Sequence, residues 1–310
     1  MSCFEAEAVL FDMDGTLTDS IAAVEAAWAR VALELGRSPE EIIALTHGKR
    51  AADNLAHLKP EIEDHAMDDA VAVFEQSILA YADAFSKYGH YHDTVPTPSS
   101  GALTPALVSD SDSDSRAPSP TLTGPIRPGF ITRLSEKLIA TARKLEEQHA
   151  KAEPAAWEIE AATTDRSVKI LPGVRRMLSS IPKGRYAVAT SGAATYAFGC
   201  MERVGIHPPE VTITGDDKRL EAGKPAPDPF LLAAKCLGFE AKNCVVFEDS
   251  PSGIKSGVAS GATVIAVCTS HERAQLENCG AHYIVEDMSH VTCKVVKQGE
   301  ETKLRFTISA

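Results

Sequence analysis

The stretch AVLFDMDGT, residues 8–16, decides the fold of this chain. Its first four residues are apolar and run directly into a polar loop, which is the pattern of a short buried strand that ends where the first aspartate begins. From Ile21 to Leu35 the apolar residues change to helical spacing. We therefore predict a buried first strand, a loop that carries two carboxylates, and a helix that follows the loop.

Apolar runs of strand length recur after residue 168 and alternate with helical patterns. These runs are Tyr186–Thr190, Val211–Thr214, Cys244–Phe247, Thr263–Val267 and His282–Val285. Strands that alternate with helices predict a parallel sheet that is covered by helices on both faces. The predicted fold class is α/β, a Rossmann-like doubly wound parallel sheet with an inserted helical cap.

The predicted domains follow from the position of the helical sequence. Residues 1–20 and 169–310 form the α/β core, and residues 21–88 form a helical cap inserted after the first strand. A cap inserted there overhangs the carboxyl ends of the strands, where open α/β sheets bind ligands.

Two further segments complete the predicted insertion. Residues 89–128 are rich in Ser, Asp and Pro. They are predicted to be disordered, because they cannot bury enough apolar surface to offset the entropy of ordering. Helical spacing returns in residues 129–168, which we predict to be a helical extension of the insertion. Protein partners of the disordered segment stay open.

Charge and cysteine content restrict the class of protein. The formal charge is −12, which argues against nucleic acid as a partner because phosphate backbones select basic surfaces. Seven cysteines, an odd number with no Cys-x-x-Cys pair, predict free thiols in a reducing compartment. No apolar run is long enough to span a membrane, so no membrane association is expected. We expect a cytoplasmic protein, with the nucleus as an open alternative.

Polar groups follow the apolar strands at four places. They are Asp12 and Asp14, Ser191 and Gly192, Lys224, and Glu248 with Asp249. Because such loops converge at one edge of a doubly wound sheet, we expect these groups to form a single site. Two carboxylates spaced two residues apart beside a third acidic pair, without histidine or cysteine, suit Mg²⁺.

This set of groups suits phosphoryl transfer. A carboxylate such as Asp12 is a known nucleophile for that chemistry, while Lys224 and a metal ion offset its repulsion by the phosphate. Ser191 and the Gly192 amide can donate hydrogen bonds to phosphoryl oxygens, and Asp14 is placed to exchange protons with the leaving group and water. Each group alone is typical of a turn, a surface charge or a helix cap. Four matches in order favour a shared site.

These motifs together resemble those of the haloacid dehalogenase superfamily. The resemblance rests on residues 11–17, Ser191, residues 223–225 and residues 247–250, and it covers about 1–88 and 168–310. It implies specific roles: Asp12 as nucleophile, Asp14 as general acid and base, Ser191 and Lys224 as phosphoryl binders, and Asp249 as metal ligand with support from Glu248. The backbone carbonyl of Asp14 is implied as a further ligand, and Mg²⁺ as the cofactor.

A narrower resemblance is to the fungal 2-deoxyglucose-6-phosphate phosphatases and glycerol-1-phosphatases. It is carried by residues 46–50, 189–192, 223–229 and 245–254. It implies Mg²⁺-dependent hydrolysis of a small phosphorylated metabolite, a sugar or polyol phosphate. In the cap, Gly48, Lys49 and Arg50 are the candidate substrate-binding residues. Arg50 is the foremost, since a planar guanidinium suits an oxyanion. His47 is expected to end a helix without binding a ligand.

Two alternatives stay open. Sugar-phosphate mutases of the same superfamily carry a histidine twelve residues after the nucleophile, where this chain has Val24, and this difference favours hydrolysis. A catalytically silent regulatory protein could use the insertion to bind partners, although it would not need every motif residue intact. Dehalogenases of the superfamily lack the second aspartate of the first motif, whereas Asp14 is present here.

Overall fold

The structure, a computed structural model, describes residues 2–89, 156–298 and 301–309. The strands are β1 (Ser2–Ala6), β2 (Ala8–Phe11), β3 (Thr18–Asp19), β4 (Lys169–Ile170), β5 (Tyr186–Ala189), β6 (Thr212–Ile213), β7 (Cys244–Glu248), β8 (Thr263–Val267), β9 (Tyr283–Val285), β10 (Val291–Gln298) and β11 (Glu301–Ile308). The α-helices are α1 (Ile21–Glu34), α2 (Pro39–Thr46), α3 (Ala51–Leu58), α4 (Met67–Tyr88), α5 (Ala156–Ala161), α6 (Val174–Ser180), α7 (Ala194–Arg203), α8 (Asp228–Leu237), α9 (Pro251–Ala259) and α10 (Arg273–Leu276).

The predicted parallel sheet is present. Its six strands lie in the order β6-β5-β2-β7-β8-β9, and every neighbouring pair is parallel. Strand β2 lies between β5 and β7, with Phe11 opposite both Val188 and Phe247. The chain order reverses at β2, and this reversal is the point where such sheets bind ligands. The loop after β2, which carries Asp12, therefore lies at the centre of the ligand-binding edge.

Helices bury both faces of the sheet, as a continuous apolar strand pattern requires. On β2, Val9 and Phe11 join one hydrophobic cluster, which includes residues of α6 and α7. The alternate residues Ala8 and Leu10 join the other, which includes residues of α8, α9 and α10. The α/β, doubly wound fold class predicted from the sequence is thus confirmed.

A short two-stranded sheet marks where the chain leaves the large sheet and returns to it. Strands β3 and β4 pair antiparallel, with Thr18 opposite Ile170. Between them, α1 packs against α2 and α4, while α4 also packs against α3 and α7. The rings of Trp28 and Phe74 lie 4.1 Å apart at the centre of this helical layer. The helices α1–α4 are called the cap below.

Much of the two segments that follow the cap lies outside the described residues. Residues 90–128 of the predicted disordered segment and the larger part of the helical extension 129–168 are not described, so the proposed division into domains stays a prediction. Within the described part, α5 packs on α4. The rings of Tyr81 and Trp157 lie 5.4 Å apart in this contact.

A second sheet, which the sequence analysis did not predict, joins the two ends of the chain. It has the order β1-β11-β10 and is antiparallel, with Phe4 opposite Phe306. Leu304 and Phe306 are fully buried, and β10 packs against α6. The alternation of Leu304, Phe306 and Ile308 with polar residues is the period of a half-buried strand.

Two expectations about the class of protein can be compared with the structure. All seven cysteines lie in the described residues and are free thiols, as predicted. None of the helices in the described ranges combines the length and the apolar character that crossing a membrane requires.

Candidate active site

A buried ion cluster lies at the carboxyl edge of β2 and β7. The backbone amide of Asp12 donates to the carbonyl of Phe247 at 3.0 Å, which fixes Asp12 at the strand end. Lys224 Nζ donates to Asp12 Oδ1 at 2.5 Å and to Glu248 Oε1 at 2.8 Å. Burial raises the pKa of Asp12 to about 7, although the charge of Lys224 opposes this shift. Against the opposing effect of burial, the charges of Asp12 and Glu248 raise the pKa of Lys224.

Glu248 organises the loop that follows β7. Its Oε2 accepts hydrogen bonds from the amides of Asp249 and Ser250, each at 2.8 Å, and from the Ser250 hydroxyl at 3.0 Å. A Cβ on Gly253 would lie 1.5 Å from Glu248 Oε1, so only glycine fits there. With Lys224 on Oε1, both carboxylate oxygens are engaged by protein donors. Glu248 is thus well placed to position Lys224 and the Asp249 loop.

Hydroxyl groups surround the side chain of Asp14. Tyr196 donates to Asp14 Oδ1 at 2.6 Å, Ser20 donates to the same oxygen, and Thr190 donates to Oδ2 at 3.5 Å. Burial raises the pKa of Asp14, although these hydrogen bonds lower it. A raised pKa suits a carboxyl group that must carry a proton near neutral pH. Sequence reasoning missed Tyr196, which lies in the first turn of α7 with no motif to mark it.

Asp249 lies against the loop after β2. Its Oδ1 accepts from Thr16 at 3.4 Å, and its Oδ2 accepts from Ser270. Gly15 has a φ of 78°, and a Cβ there would lie 2.1 Å from Asp249 Oδ2. Burial, followed by the charges of Glu248 and Asp12, raises the pKa of Asp249 well above its usual range. The carboxylates of Asp12 and Asp249 therefore meet where a cation would relieve their repulsion.

The acidic groups fit a divalent cation. Oxygens of Asp12, Glu248 and Asp249 lie within 4.8 Å of one another, and all three residues are buried. Oxygen-only donors are the set that Mg²⁺ prefers. Because the oxygens of Glu248 already accept four hydrogen bonds, Asp12 and Asp249 are the side chains best placed to bind an ion. The side-chain oxygens of Asp14, a predicted ligand, face the hydroxyl groups instead.

Ser191 and Gly192 lie at the predicted edge, where protein groups engage both donors. The Ser191 hydroxyl donates to the carbonyl of Gly48 in the cap at 3.2 Å. The Gly192 amide donates to Thr190 Oγ1 at 3.1 Å. A Cβ on Gly192 would lie 2.5 Å from Tyr196 Cδ1, so the glycine also makes room for the tyrosine that holds Asp14.

A cavity of about 80 Å³ lies between the core loops and the cap. Its core side includes Asp12, Asp14, Ser191, Gly192 and Asp249, and its cap side includes Val24, Trp28, His47, Gly48, Lys49, Phe74, Glu75 and Ile78. The cap residues Gly48 and Lys49 thus meet the core residues around one space. The volume is far below the ~300–1,000 Å³ of typical ligand pockets. The cap therefore leaves little room beside the core groups.

Arg50 lies away from this cavity. Its guanidinium makes two hydrogen bonds to Asp53, at 2.8 and 2.9 Å. A Cβ on Gly223 would lie 2.5 Å from Arg50 Nε, which shows how closely the arginine packs on the core. Arg50 lines a neighbouring cavity of about 380 Å³ together with Asp216 and Lys218. The structure therefore gives Arg50 a contact between cap and core, outside the space that Asp12 faces.

Glu75, a residue that the sequence analysis did not single out, lines both cavities. It is only 2% exposed, and its Oε1 accepts from the amide of Ala193 at 2.7 Å. Its Oε2 is buried and has no hydrogen-bond partner among the described residues. Burial raises the pKa of Glu75 to about 8. A glutamate within an amphipathic helix suggests a solvated face, so no sequence signal marks this position.

The fold and the site together define a class of hydrolase. The family model of haloacid dehalogenase-like hydrolases matches residues 6–261, and the chain belongs to this family. The structure of a haloacid dehalogenase hydrolase of family IA, variant 3, from Entamoeba histolytica has the same fold, with a TM-score of 0.56 and 19% identity over 92% of this chain and 95% of that one.

Curated relatives carry more specific names. The chain is 30% identical to hexitol phosphatase A of Escherichia coli over 260 residues, which cover 83% of this chain and 81% of that protein. It is 26% identical to 2-deoxyglucose-6-phosphate phosphatase 1 of Saccharomyces cerevisiae, over 97% of this chain and 94% of that protein. A shorter match, 31% identical over 41% of this chain and 51% of the relative, is to the β-phosphoglucomutase of Mycobacterium bovis.

Proposed function

We propose that the chain is a Mg²⁺-dependent phosphatase that hydrolyses small sugar or polyol phosphates through an aspartyl-phosphate on Asp12. One observation carries the proposal: Asp12, Lys224 and Asp249 meet at the carboxyl edge of the sheet, with the separately held Asp14 facing the same cavity. These four residues would supply, in that order, a nucleophile, a positive charge, a cation ligand and a proton carrier at one site.

The first step transfers the phosphoryl group to the protein. The Asp12 carboxylate attacks phosphorus, and the bond from phosphorus to the substrate's bridging oxygen breaks. Asp14, in its protonated form, gives its proton to that leaving oxygen. Its hydrogen bonds from Tyr196, Ser20 and Thr190 orient the carboxyl group for this transfer. Such acid catalysis contributes about 10²–10⁴-fold to the rate.

The second step releases phosphate. Asp14, now ionised, takes a proton from water as the water oxygen attacks phosphorus. The bond between phosphorus and Asp12 breaks, so that inorganic phosphate leaves and the carboxylate is restored. Mg²⁺, held by Asp12, Asp249 and the backbone carbonyl of Asp14, would neutralise the charge of the phosphoryl group in both steps.

Lys224 supplies the protein's own positive charge. Its two short contacts with Asp12 and Glu248 hold the ammonium group beside the nucleophile. It is 4% exposed, so water screens its charge weakly. The charge lowers the repulsion between Asp12 and an incoming phosphate dianion. Glu248 acts as a positioning residue for Lys224.

The proposed substrate class rests on the relatives and the cavity. Relatives that cover most of this chain are named as phosphatases of hexitol and 2-deoxyglucose phosphates. The cavity is small, so a compact substrate fits the proposal and the cap must move to admit it. Val24 lines the cavity and has no group to exchange protons with a bound sugar, which favours hydrolysis over the mutase reaction.

The test is a phosphate-release screen across sugar and polyol phosphates, with Mg²⁺ and with excess chelator. We expect turnover with Mg²⁺ and none with chelator. Asp12→Asn should be folded and inactive, whereas Asp19→Asn, which removes an exposed carboxylate from the same segment, should be active. Asp12→Asn activity within tenfold of the parent would rule out Asp12 as the nucleophile, and full turnover in chelator would rule out the metal.

A further inference from the structure

Two histidines and an aspartate meet beside the proposed magnesium site. His47 follows the cap helix α2, Asp249 follows β7, and His271 follows β8. One ligand atom of each residue lies within 4.8 Å of the other two, and His47 Nε2 lies 4.0 Å from Asp249 Oδ2. The two imidazole rings meet edge to face, with their centres 4.5 Å apart. The sequence interpretation gave His47 no ligand role, and this geometry gives a reason to revise it.

The hydrogen bonds around Ser270 determine which nitrogen of His271 can bind a cation. The Ser270 hydroxyl donates its single proton to Asp249 Oδ2. Its other contact, with His271 Nδ1 at 3.1 Å, therefore requires that the ring nitrogen is the donor. A neutral ring with a proton on Nδ1 carries its lone pair on Nε2. Metal-binding histidines share this arrangement, because their second ring nitrogen usually donates to a nearby oxygen.

We propose that His47, Asp249 and His271 form a site for Zn²⁺ or a similar transition-metal cation, which adjoins the proposed magnesium site and shares Asp249 with it. Two imidazoles and a carboxylate are donors that such cations favour, whereas Mg²⁺ favours oxygen alone. Zinc–nitrogen bonds are about 2.0–2.1 Å long, so binding draws the three donors closer together. His47 belongs to the cap and the other two residues to the core, so the bound cation ties the cap to the core.

The proposed site is inhibitory for two reasons. Asp249 is shared with the proposed magnesium site, so zinc and magnesium compete for one carboxylate. A cation that ties His47 to the core also holds the cap closed over a cavity of about 80 Å³. The inhibition rests on the proposed phosphatase function, whereas zinc binding does not. The two can therefore be tested apart.

The binding test uses the metal-stripped 310-residue protein and calorimetric titration with Zn²⁺, first without Mg²⁺ and then at increasing Mg²⁺ concentrations. We expect His47→Ala and His271→Ala each to weaken zinc binding by at least about 10–100-fold, the loss that even outer-sphere partners of a metal site cause. His57→Ala, which removes an exposed histidine from the cap helix α3, is the control and should bind as the parent does. Parent-like zinc affinity in the double variant His47→Ala/His271→Ala would overturn the proposal and point to the free cysteines.

The inhibition test measures phosphate release at fixed substrate while Zn²⁺ and Mg²⁺ are varied. We expect zinc to inhibit the parent, more Mg²⁺ to relieve the inhibition, and the double variant to need at least about 10–100-fold more zinc. Unchanged inhibition in the double variant would refute the site. If the protein proved inactive on every phosphate ester, loss of zinc binding in the histidine variants would still support the site, and only the proposed function would fail.

Discussion

Glu75→Gln should make the stability of the protein less dependent on pH. Glu75 is 2% exposed, accepts one hydrogen bond from the amide of Ala193, and has no described partner for its second oxygen. Burial, with smaller contributions from Asp14 and Asp216, raises its pKa from 4.5 to about 8. The folded protein therefore keeps a proton on Glu75 at pH values where the unfolded chain has lost it.

The sign and size of the effect follow from this difference. Between about pH 4.5 and pH 8 the folded state binds more protons than the unfolded state, so the Glu75 contribution lowers stability as pH rises. At about 1.36 kcal/mol per pH unit, the loss between about pH 5 and pH 7.5 is on the order of 3 kcal/mol. Gln has no proton to lose, so the variant should lack this slope. Its amide group adds a cost that does not vary with pH.

The assay is urea unfolding of parent and variant at several pH values from 5 to 8. The free energy of unfolding of the variant minus that of the parent should grow by about 3 kcal/mol from about pH 5 to pH 7.5. Asp69→Asn, which removes an exposed carboxylate from the same helix, is the control and should show little change. Parallel curves for parent and Glu75→Gln would mean that Glu75 ionises equally in both states, and the argument from burial would be wrong.

Three further predictions concern the groups around the cavity. Tyr196→Phe removes a hydrogen-bond donor that lowers the pKa of Asp14, so kcat/KM should fall about 10-fold and the pH profile of kcat/KM should shift to higher pH. An unchanged pH profile would mean that Tyr196 does not influence the ionisation of Asp14. Arg50→Ala should lower kcat/KM equally for a sugar phosphate and a small aryl phosphate, since Arg50 packs between cap and core; a loss confined to the sugar phosphate would instead make it a substrate contact. Replacing residues 90–127 with a short Gly/Ser linker should leave kcat/KM and the melting temperature nearly unchanged, because loop closure costs only about 0.6 kcal/mol per doubling of length; loss of activity in a folded protein would show that the segment belongs to the cap.

Local patterns were enough to predict the sheet and its polar edge. Each strand of the parallel sheet is a short apolar run, and each run is followed within a few residues by polar groups such as Asp12 or Glu248. Parallel strands place those loops at one edge whatever the details of packing. The sheet of β1, β10 and β11 is different, because its register joins Phe4 to Phe306, residues from the two ends of the chain. The alternating pattern of β11 is visible in the sequence, but the pattern does not indicate that β1 and β10 are the strands that pair with it.

In the cap, the tertiary contacts of individual residues cannot be predicted from the sequence. Arg50 is a predicted substrate contact because a planar guanidinium suits an oxyanion, and in the structure its guanidinium is hydrogen-bonded to Asp53, three residues later. Glu75 belongs to no motif and lies within a long helix, yet tertiary packing buries it beside Ala193. Charge and helical spacing reveal which residues share a helix face. They do not reveal which face another domain will cover.

The contacts between cap and core also indicate how the site works. Three of the contacts between cap and core are those of Gly48 with Ser191, of Glu75 with Ala193, and of His47 with Asp249. All three contacts fall on loops that carry or adjoin the proposed catalytic groups. Other contacts add to these, because α4 packs on α7 and Asp83 of the cap forms an ion pair with Arg203 of the core.

On the hypothesis that Ser191 binds the phosphoryl group, an entering phosphate would replace the Gly48 carbonyl as the acceptor of the Ser191 hydroxyl. The same hydroxyl would then serve both to bind phosphate and to join core and cap. A substrate that takes this hydroxyl removes one cap contact and must supply others, through Lys49 or the apolar wall of the cavity, for the cap to close again. Closure of the cap then depends on the contacts that the substrate makes with it. Cap closure would therefore both select among phosphate esters and exclude water from the site.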